Sequence, residues 1–356
     1  MPNGDSTRGG ADVLLRMENV SKTFSKSVGL FNRQDGMVKA VDDVTFALYR
    51  GETLGLVGET GSGKSTLGRL ALRLLAPDSG RIEIDGVDTT NLSRRRVRSL
   101  RRKAQMVFQD PYGSLDPRKK VFSIVAEPMI VHGLWDKDGK QRVAEIVSKV
   151  GLQPEHLDRY PHEFSGGQRQ RIGIARAFAG NPWMVVADEP VSALDVSVAA
   201  AVTSVLMDIQ RQQGTTLLFI SHDLSLVRYL ADRVVVMYLG HVMEHGTTDE
   251  IFSPPYHPYT EALLSAVPIA DTSIQRKRII LGGTLPSAID PPKGCPFHTR
   301  CHRKIGTICE TEEPSEVSFG EGHTIACHLP AEELREMEPV IIQKVEVDAV
   351  VEQVVD

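Results

Sequence analysis

The stretch Gly58-Glu-Thr-Gly-Ser-Gly-Lys-Ser-Thr66 follows directly on the apolar run Thr53-Leu-Gly-Leu-Val57. A strand, a Gly-rich turn and a helix start, in that order, predict a phosphate-binding loop. Gly58, Gly61 and Gly63 let backbone N–H groups turn inward around phosphate oxygens, and the helix behind them adds the positive end of its dipole. Lys64 offers a point charge to β- and γ-phosphates, and the Ser65 hydroxyl is placed to ligate Mg2+. With Glu59, Thr60, Ser62 and Thr66, these residues form the expected nucleotide cradle.

Before this loop, Val13 to Val20 and Val38 to Leu48 read as strands, with Ser25 to Gly36 between them as a hairpin-like loop. After it, Leu67 to Leu75 has helical spacing, and Arg81 to Val87 reads as a short hairpin turning at Asp85-Gly86. Ser93 to Lys103 holds seven arginines and lysines, a strongly basic helix whose bland reading is a solvated face and whose sharper one is contact with anionic lipid or an acidic partner. Ala104 to Phe108 predicts a strand ending at Gln109. Val121 to Gly151 predicts a helical insert interrupted at Pro128 and around Asp136 to Gly139. Ser165-Gly166-Gly167-Gln168 opens a further helix, Trp183 to Ala187 a buried strand ending in Asp188-Glu189, and Thr215 to Ile220 a strand ending in Ser221-His222. Strands alternating with helices predict an α/β fold with a mainly parallel sheet covered on both faces.

Length and composition fit one large domain with a smaller appendage, since 356 residues exceed the size at which a single core stops growing. The net charge of -5 excludes a global basic footprint for nucleic acid. No apolar run approaches the ~18 residues of a membrane span, and the first residues lack a signal-peptide core, so a cytoplasmic chain is expected. The expected organisation is a small disordered tail over 1–11, the nucleotide-binding domain over 12–250 with a helical subdomain at about 110–180, a C-terminal domain over 251–330 and a mobile acidic tail over 331–356.

Gly58 to Thr66, Gln109, Ser165 to Gln168, Asp188-Glu189, Ser192-Ala-Leu-Asp195 and His222 occur in this order, each at a turn. Together they resemble the ATP-binding subunit of an ABC transporter, a P-loop NTPase, over about residues 12 to 330. The resemblance implies that Asp188, with Ser65 and Gln109, holds Mg2+, and that Glu189 is the general base orienting the attacking water. It implies that His222 bonds the γ-phosphate and that Phe24 stacks on adenine, although an aromatic at such a place is commonly a core residue. It further implies a head-to-tail dimer in which Ser165, Gly166, Gly167 and Gln168 reach the partner's ATP, with Ser192 and Asp195 at the interface. Phe108 to Arg118, Val191 to Ser197 and Tyr256 to Leu264 resemble the F-type ATPase of bacterial oligopeptide and dipeptide permeases, with Asp116 where that family more often has Asn. That resemblance implies a D-type ATPase partner, two membrane-spanning permeases and an extracytoplasmic solute-binding protein, at the cytoplasmic face of the inner membrane. A related importer for nickel, glutathione or another small solute would read the same, because this subunit never touches the solute. A soluble ABC ATPase acting on DNA or ribosomes would call for coiled-coil inserts or a tandem cassette, which the chain lacks.

The four cysteines, Cys295, Cys301, Cys309 and Cys327, are spaced C-x5-C-x7-C-x17-C. In a reducing compartment such clustering favours metal over disulfides, and four thiolates suit tetrahedral Zn2+ or an iron–sulfur cluster equally well. His298 and His328 stand near enough in sequence to be alternative ligands. The permease resemblance implies a 4Fe-4S cluster here, acting as a staple, with His302 where that family often has Pro.

Overall fold

The computed structural model describes residues 12–28, 33–267, 278–320 and 322–340. Two sheets share one apolar layer. The first is antiparallel, in the order β2-β1-β4-β5, from β1 (Val13–Val28), β2 (Arg33–Tyr49), β4 (Ser79–Ile84) and β5 (Val87–Asp88). The second runs β11-β12-β10-β9-β3-β8-β7-β6 and holds β3 (Thr53–Val57), β6 (Ala104–Val107), β7 (Met184–Asp188) and β8 (Thr216–Ser221). Its other members are β9 (Arg233–Tyr238), β10 (His241–Thr247), β11 (Glu316–Ser318) and β12 (Thr324–Ala326). The five strands β9, β3, β8, β7 and β6 are mutually parallel, and β10, β12 and β11 add antiparallel at one edge.

The period-two geometry of a strand sends successive side chains to opposite faces. In β8, Leu217 and Phe219 enter one core while Leu218 and Ile220 enter the other. In β9 the split is Val234 and Val236 against Val235 and Met237. Both faces are therefore apolar, which is why these strands read as unbroken hydrophobic runs. One face packs on the antiparallel sheet and α1 (Lys64–Ala71), through Leu67, Leu70 and Ala71. The opposite face carries α3 (Val121–Val131), α4 (Gly139–Lys149), α5 (Gly166–Phe178), α6 (Val196–Gln213) and α7 (Leu224–Leu230). The basic segment is helix α2 (Arg94–Arg101): Val97 is buried, Leu100 and Arg101 are half-buried, and its other described side chains are exposed, the pattern of a largely solvated face.

Some local expectations are corrected. The loop expected over Ser25 to Gly36 is largely strand, since β1 runs to Val28 and β2 begins at Arg33; residues 29–32 lie outside the described residues. Cross-strand pairing such as Ser25 with Met37 satisfies a polar stretch that sequence alone reads as loop. Pro128 does not interrupt its helix but lies inside α3. The neighbours Val125, Ala126 and Met129 are buried, so tertiary packing outweighs the one lost hydrogen bond.

Beyond β10 the chain forms α8 (Thr248–Ile251), α9 (Pro258–Ala266), α10 (Ile308–Thr311) and α11 (Ala331–Arg335). The hairpin β11–β12 docks on β10, pairing Ile325 with Glu244 and Thr324 with His245. Cys295, Phe297, Cys309 and Ile325 belong to the same apolar cluster as Phe219 and Val236, so the C-terminal region shares its core with the main sheet. Buried Glu244 ties the two together, its carboxylate meeting His323 Nε2 at 2.9 Å and accepting the His257 N–H at 2.9 Å. Residues 331–340, expected within a mobile tail, are docked instead: Leu334 is fully buried and Met337 and Val340 nearly so. Residues 1–11 and 341–356 lie outside the described residues. Among the described residues no helix is long and apolar enough to cross a membrane.

Candidate nucleotide site

The C-terminal ends of adjacent parallel strands β3, β8, β7 and β6 carry, side by side, the phosphate loop, His222, Asp188-Glu189 and Gln109. These residues are scattered over more than 160 positions of sequence, and the strand order alone brings them to one edge. That is where open α/β sheets bind ligands.

The loop backbone requires its glycines. Gly58 has φ +153° and a Cβ there would lie 2.2 Å from the Met237 carbonyl oxygen. Gly63 caps α1 at φ +100°, with a Cβ position 2.1 Å from the Ala40 carbonyl oxygen. The α1 end is thus held against β2 and β9 by backbone contact that no side chain permits. Lys64 is buried, and its Nζ donates to the carbonyls of Gly58 (2.7 Å) and Glu59 (2.9 Å). Burial lowers its pKa, opposed by the charges of Glu189, Asp188 and Glu59. The Ser62 hydroxyl is buried without a hydrogen-bond partner, and Ser62 N–H donates to Glu59 O at 3.1 Å.

The Ser65 hydroxyl donates to Asp188 Oδ1 at 2.7 Å. Asp188 is 2% exposed, and burial raises its pKa against the pull of that bond. Glu189 follows with φ +44°, left-handed backbone that a non-glycine residue adopts at a cost of about 1–3 kcal/mol. This turn brings Glu189 Oε2 within 3.1 Å of Gln109 Nε2, which donates to it, and within 3.3 Å of His222 Nδ1. Gln109, Glu189 and His222 therefore share one carboxylate oxygen, next to the Ser65–Asp188 pair. Two oxygens converging at 2.7 Å are the hard donors a Mg2+ ion takes. The carboxylate beyond them has the chemistry of a general base, and Lys64 with the loop N–H groups that of a phosphate cradle.

Phe24 lies on β1 opposite Val38, 38% exposed as a residue, with Lys22 Nζ 5.7 Å from its ring centroid. The Ser165 side chain caps α5 by accepting from Gln168 N–H, while Gln168 Oε1 accepts the Ser165 N–H at 3.1 Å. This is a capping box, legible as S-x-x-Q, and it fixes the helix start from within the chain. Its two glycines differ. A Cβ on Gly167 would meet Val198 Cγ1 at 2.4 Å, so that glycine serves the packing of α5 on α6, whereas Gly166 has Leu194 no nearer than 3.6 Å. Ser192 and Asp195 are exposed, Ser192 Oγ donating to Glu189 O at 3.2 Å and Asp195 standing at the start of α6.

The four cysteines are free thiols, Cys295 and Cys309 buried and Cys301 and Cys327 partly so. Burial pushes Cys295 up to about 11 and Cys327 up to about 12; Cys301 and Cys309 add to the first, and all three other thiols to the second. Cys295 and Cys309 lie in one apolar cluster, and Cys301 and Cys327 pack against it. Among the described residues no group of three or more His, Cys, Asp or Glu side chains is arranged to hold a metal ion. His298 Nδ1 contacts Cys295 O and His328 Nε2 contacts Glu312 O, each at 2.9 Å.

Three residues on this loop went unread in sequence. Tyr259 Oη accepts the Glu59 N–H, Arg300 Nη1 donates to the Glu59 carboxylate, and Leu285 lies over Gly61. The run Tyr256 to Leu264 was legible as a family feature, but its reach to residue 59 was not.

Comparison with known proteins agrees with this geometry. Residues 41–192 match the ABC transporter family, and residues 243–309 match the oligopeptide/dipeptide transporter C-terminal region. The oligopeptide transport ATP-binding protein AppF of Bacillus subtilis (strain 168) is 50% identical over 327 residues, 91% of this chain and 99% of that protein. The dipeptide transport ATP-binding protein DppF of Escherichia coli (strain K12) is 48% identical over 88% of this chain and 93% of its own length. Among solved structures, the dimeric post-hydrolysis state of the ATP-binding cassette MJ0796 bound to ADP and Pi matches with a TM-score of 0.59 and 28% identity, over 66% of this chain and 99% of that one. The chain belongs to the ABC transporter family as one of its ATP-binding proteins, an ATPase, with a C-terminal region of the oligopeptide/dipeptide transporter type.

Proposed function

We propose that this chain powers peptide import, hydrolysing ATP at the cytoplasmic face of the inner membrane for two membrane-spanning permeases served by a solute-binding protein. The observation that carries the reading is the Ser65–Asp188 pair standing beside the Gln109–Glu189–His222 group, on a chain whose C-terminal region is of the peptide-transporter type.

Lys64 leaves the carbonyls of Gly58 and Glu59 for the β- and γ-phosphates, and the N–H groups of Gly61 to Thr66 enclose them. Ser65, Asp188 and Gln109 would hold Mg2+, which would supply charge neutralisation of the transferring phosphoryl group. Glu189, held by Gln109 and His222, orients water and takes its proton. His222 then bonds the γ-phosphate, and Phe24 stacks on adenine. The start of α5, Ser165 to Gln168, of which Ser165 is exposed, reaches ATP on a second ATPase subunit, a D-type partner, with Ser192 and Asp195 at the joint. Removing the base while keeping the carboxylate's shape tests this. Glu189→Gln binds ATP within about threefold of wild type and loses about 100-fold or more in turnover within the assembled importer. Undiminished turnover refutes the assignment.

We propose Cys295, Cys301, Cys309 and Cys327 as the thiols that would hold a 4Fe-4S cluster, which would act as a staple for residues 295 to 327. Support comes from Cys295 and Cys309 lying in one apolar cluster against which Cys301 and Cys327 pack, and from the Leu329 N–H donating to Cys327 Sγ at 3.5 Å. Iron with acid-labile sulfide in the anaerobically purified chain, lost in Cys301→Ser, is the expected result; zinc without sulfide, or no metal, overturns it.

A further inference from the structure

We infer that Arg300 and Tyr259 are positioning residues for the phosphate loop, so that the C-terminal region is a working part of the nucleotide site. Glu59, the second residue of the loop, is gripped from outside at two points. Its N–H donates to Tyr259 Oη at 2.9 Å, and its carboxylate accepts from Arg300 Nη1 at 2.7 Å. Its carbonyl faces the other way and accepts from Lys64 Nζ and from the Ser62 N–H. One residue thus joins the C-terminal region on one side to the phosphate-binding lysine on the other.

Both grips are rigid. Tyr259 is fully buried, with its ring centroid 4.8 Å from that of Tyr238 and 5.2 Å from that of Phe297. The Arg300 side chain is 10% exposed and reaches Tyr238 Oη at 3.5 Å. Burial works against its charge, but the hydrogen bonds to Glu59 and Tyr238 prevail and raise its pKa above the ordinary value. Leu285, from the same region, completes the contact at Gly61.

The physical role follows from charge and from preorganisation. A carboxylate at position 59 is near enough to act on the Lys64 ammonium, and it would repel arriving phosphates. Arg300 neutralises it. When Lys64 turns to ATP, the loop loses its two internal lysine bonds, and the outer grip, together with the Ser62 N–H to Glu59 O bond, keeps the residue 59 backbone in place. A loop ordered before binding spends less binding energy on ordering.

The test is MgATP affinity of the full chain by titration calorimetry, with kcat and KM measured in the assembled importer. Arg300→Met raises the dissociation constant and KM about tenfold, the scale of one charge-assisted hydrogen bond, with kcat within about twofold. Arg300→Lys recovers most of the loss. In a Glu59→Gln background, Arg300→Met adds less than about twofold, because the arginine acts through that carboxylate. A residue needed only for local folding would give the same loss in both backgrounds, and that result overturns the inference, as does unchanged affinity in Arg300→Met. Should Arg300→Met fail to fold, Tyr259→Phe removes only the hydroxyl. It is expected to weaken MgATP binding by about three- to tenfold, and wild-type affinity there overturns the inference equally.

Discussion

Gly63→Ala is the sharpest perturbation of the cradle. At φ +100° an alanine is outside its comfortable backbone region, at a cost of about 1–2 kcal/mol or more. The larger effect is steric: the added Cβ would stand 2.1 Å from the Ala40 carbonyl oxygen, where carbon and oxygen do not approach within 3.0 Å. The loop must retreat by 3.0 − 2.1, or about 0.9 Å, because the opposing atom is backbone. Gly63 adjoins Lys64 and the first N–H groups of α1, so a retreat of that size stretches phosphate hydrogen bonds of about 2.9 Å toward 3.8 Å, beyond bonding range. Losing two such charge-assisted bonds at about 1.5 kcal/mol each weakens ATP binding by roughly 100-fold. The assay is equilibrium titration of the full chain with MgATP, alongside urea unfolding to verify that the fold persists. A folded Gly63→Ala protein that binds ATP within about threefold of wild type would refute the steric argument.

Two other perturbations separate the parts of the molecule. Glu261 on α9 accepts from Arg303 Nε and Nη2, each at 2.7 Å, and meets His302 Nε2 at 2.9 Å, anchoring the chain just after Cys301. Burial pushes its carboxyl up, but the hydrogen bonds from Arg303 and His302 outweigh it and bring the pKa down to about 2. A depressed carboxylate contributes stability that is complete above the unfolded pKa and is lost as pH falls from about 4.5 to about 2. Because Arg303 and His302 reach solvent, the pair is screened, and Glu261→Gln is expected to cost about 1–2 kcal/mol at pH 7. In urea melts that gap shrinks below about pH 4.5; a gap that is absent at pH 7, or that grows on acidification, contradicts the assignment. Gly167→Ala drives a Cβ into Val198 and costs about 1–3 kcal/mol in thermal or urea unfolding. It should leave MgATP binding by the full chain within about twofold while lowering turnover in the assembled importer, since the start of α5 serves the partner's nucleotide; equal loss in both assays would place Gly167 at the chain's own site.

The sequence by itself determined what depends on local chemistry. Gly58 to Thr66 is a phosphate loop because only that run of glycines, lysine and serine permits its backbone and charge, and the unbroken apolar runs of β3, β7, β8 and β9 announce strands buried on both faces. Asp85-Gly86 turns a hairpin because both residues take positive φ. Tertiary structure alone decided what depends on strand order. That β6, β7, β8 and β3 lie side by side, and so seat Gln109, Glu189 and His222 on one carboxylate oxygen, is no local property of any segment. The division of labour between Gly166 and Gly167, the helix running through Pro128, and the strands where a loop was expected were all settled by long-range packing. The same holds for Arg300, a single charged residue 241 positions from its partner, whose meaning exists only because the C-terminal region folds back onto the loop.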